Sequence, residues 1–287
     1  MKKSEVIDRI LNYHPSIENY TGCDDYKSDG KEDECTGIAS ALVPTMEVIQ
    51  KTVALGCNLL VVHEPIYYQT PDYSAWKGNF ENKVQKEKEF YIKEHGITIW
   101  RDHDHMHTHQ PDCIFTGVMK YLGWEKYYNK EISAIMPLFY VFDIPECTVA
   151  ALGAYLKEKI GMNGMRIVGC PEDKMRRVAI AAHLYPNSFM VDEVKEDGFY
   201  HSYDMEIMRC MEEADVDAII PGEIIEWTIL SYIRDAAFMG KGKACFNIGH
   251  FNMEELGMRY AADWIGELVN HEIPVHYVPT GDGWCFL

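Results

Sequence analysis

Two potential metal ligands stand side by side at His63-Glu64, where Pro65 follows at once. A second group is the run from Asp102 through His103, Asp104, His105, His107 and His109, whose histidines share one face if the backbone stays extended. A third is His250, with Glu254 four residues on. Imidazole suits zinc, iron, copper or nickel, while carboxylates supply charge and can bridge two ions. Adjacent ligands at one point of the chain suit a pair of metals better than one closed tetrahedron. Two ions about 3.5–4 Å apart can activate a shared water and clamp a substrate oxygen. Any one of these histidines alone is more often an ordinary core or surface residue; the joint pattern is what points to metal.

Several familiar frameworks do not fit. A His-Glu-x-x-His zinc site needs both histidines on one helical face, and after His63-Glu64 comes Pro65 with no second His. The pattern H-x-H-x-D-H would begin at His103 or His105, but its aspartate position then holds His107 or His109. A histidine-rich barrel would need eight regular strand-helix units, which the chain lacks. No P-loop and no G-x-G-x-x-G follows a strand, so a nucleotide would have to be bound by other means.

The elements that must position these residues are legible as alternating helix and strand. Leu59–Val62 is a run of four aliphatic residues, the mark of a strand buried on both faces in a parallel sheet, and Pro65 places His63-Glu64 at its carboxyl end. In open α/β sheets that end is where ligands bind. Ile97–Trp100 is a second such strand leading into the histidine run, and Ala244–Ile248 a third, leading to Gly249-His250. If the three are neighbours, their ends converge. Helices are expected at 4–14 (Ser4 as N-cap), after Pro44-Thr45, at 82–94 and at 113–124. The spacing predicts strands at 38–42, 134–142, 165–168, 177–182, 218–220 and 275–278, and helices at 148–160 (burying Val149, Leu152, Leu156 and Ile160), 203–213 and 225–238. Asn252 and Glu255 have capping-box spacing ahead of an apolar stripe running from Leu256 to Val269. Residues 20–36 read as a loop or lid without a core face, a solvated loop being the commoner case, and the aromatic segment Tyr67, Tyr68, Tyr73, Trp76, Phe80 as either a pocket wall or packing over the sheet. Tyr185–Ser188 reads as a loop.

Composition narrows the partners. The 287 residues, 47% hydrophobic, suffice for one large or two ordinary domains, and the middle block looks like a second α/β unit. A formal net charge of −18 without any Lys/Arg cluster argues against nucleic acid and against anionic membrane surfaces. Nine dispersed cysteines without a C-x-x-C pair suit reduced thiols in a cytoplasmic protein. No run approaches membrane-spanning length.

The stretches ALVPTMEVIQKTVALGCNLLVVHEPI (41–66), GITIWRDHDHMHTHQPD (96–112), VDAIIPGE (216–223) and NIGHFNMEELGM (247–258) are similar, in order and across nearly the whole chain, to the Nif-three-like proteins, many described as GTP cyclohydrolase I type 2 homologues. The resemblance implies an α/β fold of two domains with mixed sheets flanked by helices, here residues 1–128 with 246–287 and residues 129–245. It implies a dinuclear zinc or iron site in the cleft between them, and often a toroidal hexamer. Carried over residue by residue, the ligands are His63, Glu64, His107, His250 and Glu254. The family generally has a second His where this chain has Glu64, and an Asp where it has His107. The exchanges offset, leaving three imidazoles and two carboxylates, which reads as a ligand swap, with a lost site as the alternative. Asp102 or Asp104 could take the carboxylate role in place of His107. His103 aligns with a family histidine near substrate or behind the ligands, and Glu223 with a Gly-Glu turn that either lines the cleft or is a plain turn.

The function so implied is hydrolysis of a small, nucleotide-like substrate by metal-activated water, with two divalent ions, zinc or iron, per chain. Competing expectations are a metal-carrying or regulatory scaffold without turnover, and an interaction module with a vestigial site. The acidic surface suits a triphosphate poorly unless metals and the first turn at 252–255 hold the phosphates.

Overall fold

Residues 1–68, 82–181 and 193–287 are described in the computed structural model, so Tyr73, Trp76, Phe80 and the expected loop at Tyr185–Ser188 lie outside the described residues. The chain forms two compact units, residues 1–118 with 254–281 and residues 119–253 with 282–287.

The first unit begins with α1 (Lys3–Tyr13), β1 (Ile38–Ala41), α2 (Met46–Ala54), β2 (Leu59–Val62), α3 (Lys83–Glu94), β3 (Thr98–Arg101), α4 (Asp104–Thr108) and α5 (Cys113–Leu122), the last running on past its edge. The second holds α6 (Lys130–Ile135), β4 (Phe139–Thr148), α7 (Val149–Ile160), β5 (Arg166–Val168), β6 (Lys174–Ala181), β7 (Glu193–Val194), β8 (Tyr200–His201), α8 (Tyr203–Glu213), β9 (Ala218–Pro221), α9 (Ile229–Phe238) and β10 (Ala244–Asn247). The chain then returns through α10 (His250–Leu268) to β11 (Val275–Tyr277) in the first unit.

The first unit's sheet runs β11-β1-β2-β3, and every pairing is parallel. Its centre is β2, fully buried along all four residues, as an uninterrupted aliphatic run requires. Alternation along the strand sends Leu59 and Val61 to a core with Ile7 and Ile10 of α1, Ile114 of α5 and Met258 of α10. Leu60 and Val62 face the opposite core with Val48 and Ile49 of α2 and Ile92 of α3. Each fully buried aliphatic side chain stabilises by about 1.5–3 kcal/mol, and both faces of the strand contribute.

Helix α10 approaches α5 unusually closely. A Cβ on Gly117 would lie 2.7 Å from the Gly257 Cα and 2.7 Å from the Leu256 carbonyl oxygen, and one on Gly257 would lie 2.7 Å from the Ile114 Cα. Glycine at these two positions lets the two backbones approach this closely.

The second unit's sheet is mixed, in the order β4-β6-β9-β10-β5. β6, β9 and β10 are parallel neighbours, while β4 and β5 close the sheet antiparallel on either edge. Parallel pairing puts the exits of β9 and β10 at the same end, which brings Gly222-Glu223 beside Gly249-His250. Gly249 takes φ +83°, a left-handed turn that starts α10 directly after the strand.

Local expectations fail where distant groups intervene. The run 102–109 is not extended but turns into α4, so His103 and His107 share a face while His105 points elsewhere. Helix α1 needs no Ser4 cap, because loop carbonyls accept from its first amides: Lys3 N–H to Asp33 O at 3.0 Å and Ser4 N–H to Lys31 O at 2.8 Å. The strand expected at 134–142 begins only at Phe139, because Asn129 caps α6 by accepting from the Ile132 amide at 3.0 Å. On α7, Val149, Leu152 and Leu156 are buried as expected, but Ile160 at its end is only half-buried. Asn252 lies inside α10 and bonds back to the Ile248 carbonyl, and Glu255 accepts from Tyr277, Thr280 and Gly281, so no capping box forms. Among the described residues no helix is long and apolar enough to cross a membrane.

Candidate metal centre

In the first unit, β2 and β3 deliver their ends side by side. His63 and Glu64 leave β2 with both amides donating to the Leu42 carbonyl, at 3.1 and 2.9 Å. Arg101 Nε donates to the His63 carbonyl at 3.0 Å, and the Arg101 guanidinium stands 3.7 Å from the Glu64 carboxylate. The His63-Glu64 pair is therefore held by the Leu42 carbonyl on one side and the Arg101 side chain on the other.

The two imidazoles face each other. His63 Nε2 and His107 Nε2 are 3.0 Å apart. His63 Nδ1 lies 3.0 Å from the Asp102 carbonyl oxygen, and His107 Nδ1 lies 2.9 Å from the Asp112 carboxylate. Both partners are acceptors, so each ring carries its proton at Nδ1 and presents the Nε2 lone pair inward. Two lone pairs so opposed repel unless a cation or a proton sits with them. Burial first, then the positive charge of His103, holds the His63 pKa well below the usual imidazole range, which keeps its Nε2 unprotonated. Glu254 is buried and reaches to 3.6 Å from His63 Nε2, and its carboxylate lies within 4.8 Å of that of Glu64. His63, Glu64, His107 and Glu254 thus meet within one unit, and the donor set fits a divalent cation.

His103 belongs to the same cluster, its ring stacked on His63 with centroids 4.5 Å apart. Its Nδ1 bonds the Asp104 carboxylate at 2.8 Å. Burial alone would lower its pKa, but the hydrogen bonds to Asp104 and Cys23, with the charges of Cys23 and Glu64, outweigh burial and raise it to about 10. An imidazolium here is a donor toward anions rather than a ligand.

In the second unit, His250 Nδ1 stands 3.1 and 3.2 Å from the two Glu223 carboxylate oxygens. Glu223 therefore orients the His250 ring and directs Nε2 away, as carboxylates do behind metal-binding histidines. Both residues line a cavity of about 760 Å³ with Arg166, Met162, Phe251 and Trp284. Its volume is in the range of small-molecule sites. Glu254 follows His250 by one helical turn on α10.

Two carboxylates that organise this centre, Asp24 and Asp112, are not singled out by the sequence pattern. Asp24, in the supposedly solvated loop, is buried and accepts from the amides of His103, Asp104 and His105 at 2.7, 3.0 and 2.9 Å, and from His105 Nδ1 at 2.7 Å. Asp104 takes a 2.7 Å hydrogen bond from Tyr20 of the same loop and pairs with His103, so it is not positioned as the replacement for His107. Asp102 turns its side chain to His14, away from the cluster. Asp112 was legible in part: it precedes α5 and accepts from the Phe115 amide as a cap does, with its second oxygen on His107.

The sequence pattern of Duf34/NIF3 (NGG1p interacting factor 3) matches residues 26–182, more than half the chain. The chain belongs to the DUF34/NIF3 family. Among solved structures, a Bacillus cereus protein related to NIF3 is 13% identical, covers 100% of this chain and 99% of its own, and superposes with a TM-score of 0.68. A hypothetical protein of Staphylococcus aureus is 15% identical with a TM-score of 0.67, covering 100% and 99%. Reduced HcgD from Methanocaldococcus jannaschii is 16% identical with a TM-score of 0.62, covering 96% and 97%. At these identities the likeness to the three is one of fold. No curated protein matches the chain. Membership of DUF34/NIF3 agrees with the resemblance drawn from the four sequence stretches, and the α/β architecture with that expected of the family.

Proposed function

We propose that this DUF34/NIF3 protein is a metal-dependent hydrolase of a small, nucleotide-like substrate, with His63, Glu64, His107, His250 and Glu254 holding two divalent ions, zinc or iron. The observation that carries the reading is the opposed Nε2 pair of His63 and His107, each fixed from behind by an acceptor at Nδ1. When bound, the ions would supply Lewis acidity and a water nucleophilic at neutral pH. The protein's own part is positioning. The Asp102 carbonyl and the Asp112 carboxylate aim two rings, Glu223 aims the third, and Arg101 braces Glu64. His103, protonated through Asp104, offers a positive donor to an anionic substrate oxygen. The 760 Å³ cavity lined by His250 supports a substrate of nucleotide size. A cytoplasmic homo-oligomer of the family's toroidal kind accompanies the reading and is tested by light scattering.

The test is release of formate or phosphate from GTP-like compounds by metal-loaded protein, beside a Glu64→Ala control. Turnover lost in the control supports hydrolysis. No turnover across a broad panel, with reversible transfer of metal to an acceptor, supports the scaffold reading instead.

A further inference from the structure

A second group of side chains that could hold a metal ion lies in the first unit, where α1 ends and α5 begins. His14 caps the carboxyl end of α1 with a fully buried side chain. Its Nε2 stands 3.2 Å from an Asp102 carboxylate oxygen, while its Nδ1 is buried with no hydrogen-bond partner. Cys113, the first residue of α5, is 2% exposed and unbonded to any other cysteine. His109, the carboxyl cap of α4, holds its Nδ1 against the Pro111 carbonyl at 3.0 Å, which leaves the Nε2 lone pair outward. The three residues bring one ligand atom each to within 4.8 Å of one another.

We propose that His14 Nδ1, His109 Nε2 and the Cys113 thiolate form a mononuclear zinc-type site. The proposal is separate from the hydrolase reading and shares no ligand with it. Histidine nitrogen and cysteine thiolate are both zinc ligands, and three protein ligands leave the fourth position to water. Zinc–sulfur and zinc–nitrogen bond lengths put tetrahedral ligand atoms about 3.3–3.6 Å apart, so closing the present spread takes side-chain movements of about 1 Å. The surroundings are built for it. Asp102 behind His14 reproduces the carboxylate–histidine–metal arrangement that fixes ring and tautomer. The His109 ring is held by stacking on Tyr13, centroids 4.7 Å apart, and Tyr13 in turn stacks on Trp264 at 4.8 Å. Burial, then the negative charges of Asp112 and Asp102, push the Cys113 thiol up, so without metal it keeps its proton. On binding, the sulfur–metal bond replaces the sulfur–proton bond and the proton leaves to solvent. Asp102 also gives its backbone carbonyl to His63, so a single residue braces both centres.

Cobalt(II) titration of the metal-stripped, full-length protein tests this. Only a thiolate ligand gives a near-ultraviolet sulfur-to-cobalt charge-transfer absorption, and the hydrolase ligand set contains no cysteine. The band is expected in wild type, absent in Cys113→Ser, and retained in His63→Ala with His107→Ala. In His109→Ala, whose side chain is only partly buried and whose loss leaves the core intact, cobalt should bind about 10–100-fold more weakly. Absence of the band in folded wild type overturns the proposal, as does a band of equal strength in Cys113→Ser, which would move the thiolate elsewhere, with Cys23 beside His103 and Asp104 the next donor. Unchanged cobalt affinity in folded His109→Ala overturns it as well.

Discussion

Replacing Asp24 by Asn changes one oxygen for an NH2 group and leaves the volume alone. In the native protein one carboxylate oxygen accepts from the amides of His103 and Asp104, and the other from the amide and Nδ1 of His105. An Asn can satisfy only one of these pairs; its NH2 would face two donors. Two hydrogen bonds to a charged acceptor are therefore lost, each worth about 1.5–3 kcal/mol, so the substitution should cost about 3–6 kcal/mol. That is a large fraction of a typical stability of about 5–15 kcal/mol, and corresponds to a fall in Tm on the order of 10 °C. Because those amides start α4, the same change should loosen His103 and His107 and weaken metal binding. Urea unfolding of metal-free protein measures the first effect, and competition with a chelator the second. A loss under about 1 kcal/mol with unchanged metal affinity would show that residues 20–36 are the passive loop their composition suggests.

Two further outcomes follow from the geometry. Gly117→Ala gains about 1 kcal/mol of helix propensity but drives a methyl into the backbone of α10, which costs about 1–3 kcal/mol because backbone atoms cannot swing aside. Net destabilisation in urea unfolding is expected, and a stabilised variant would refute the close packing. Stability of metal-free protein should peak near neutral pH. His63, depressed by burial, contributes stability fully above about 6.5, the unfolded value, and loses it as pH falls below that. His103, raised to about 10, contributes fully below about 6.5 and loses it as pH climbs toward 10. A His103→Gln variant should lose the alkaline fall and keep the acid one; an unchanged profile on both sides would contradict the assignment.

Sequence patterning revealed β2 and its exit because four aliphatic residues followed by a proline admit few other arrangements, and His63-Glu64 stands where that pattern places it. The starts of α2 and α7 fall close to where the sequence places them, and there Thr45 and Thr148 accept from the Val48 and Ala151 amides. What escaped notice was decided by partners remote in the chain. The alternating histidines fit an extended strand until Asp24, about eighty residues earlier, gathers three amides into a helical turn. The buried His14–Asp102 pair likewise joins two segments that neither periodicity nor composition links. Asn129 carried a readable helix-start signal that the aliphatic stretch after it obscured.

The most direct test of the central claim is metal content per chain in protein purified without added metal, measured in the Cys113→Ser background so that only the His63 centre is counted. About two ions per chain are expected, falling sharply when His63→Ala is added. Fewer than about half an ion per chain, or a content that His63→Ala leaves unchanged, would contradict it.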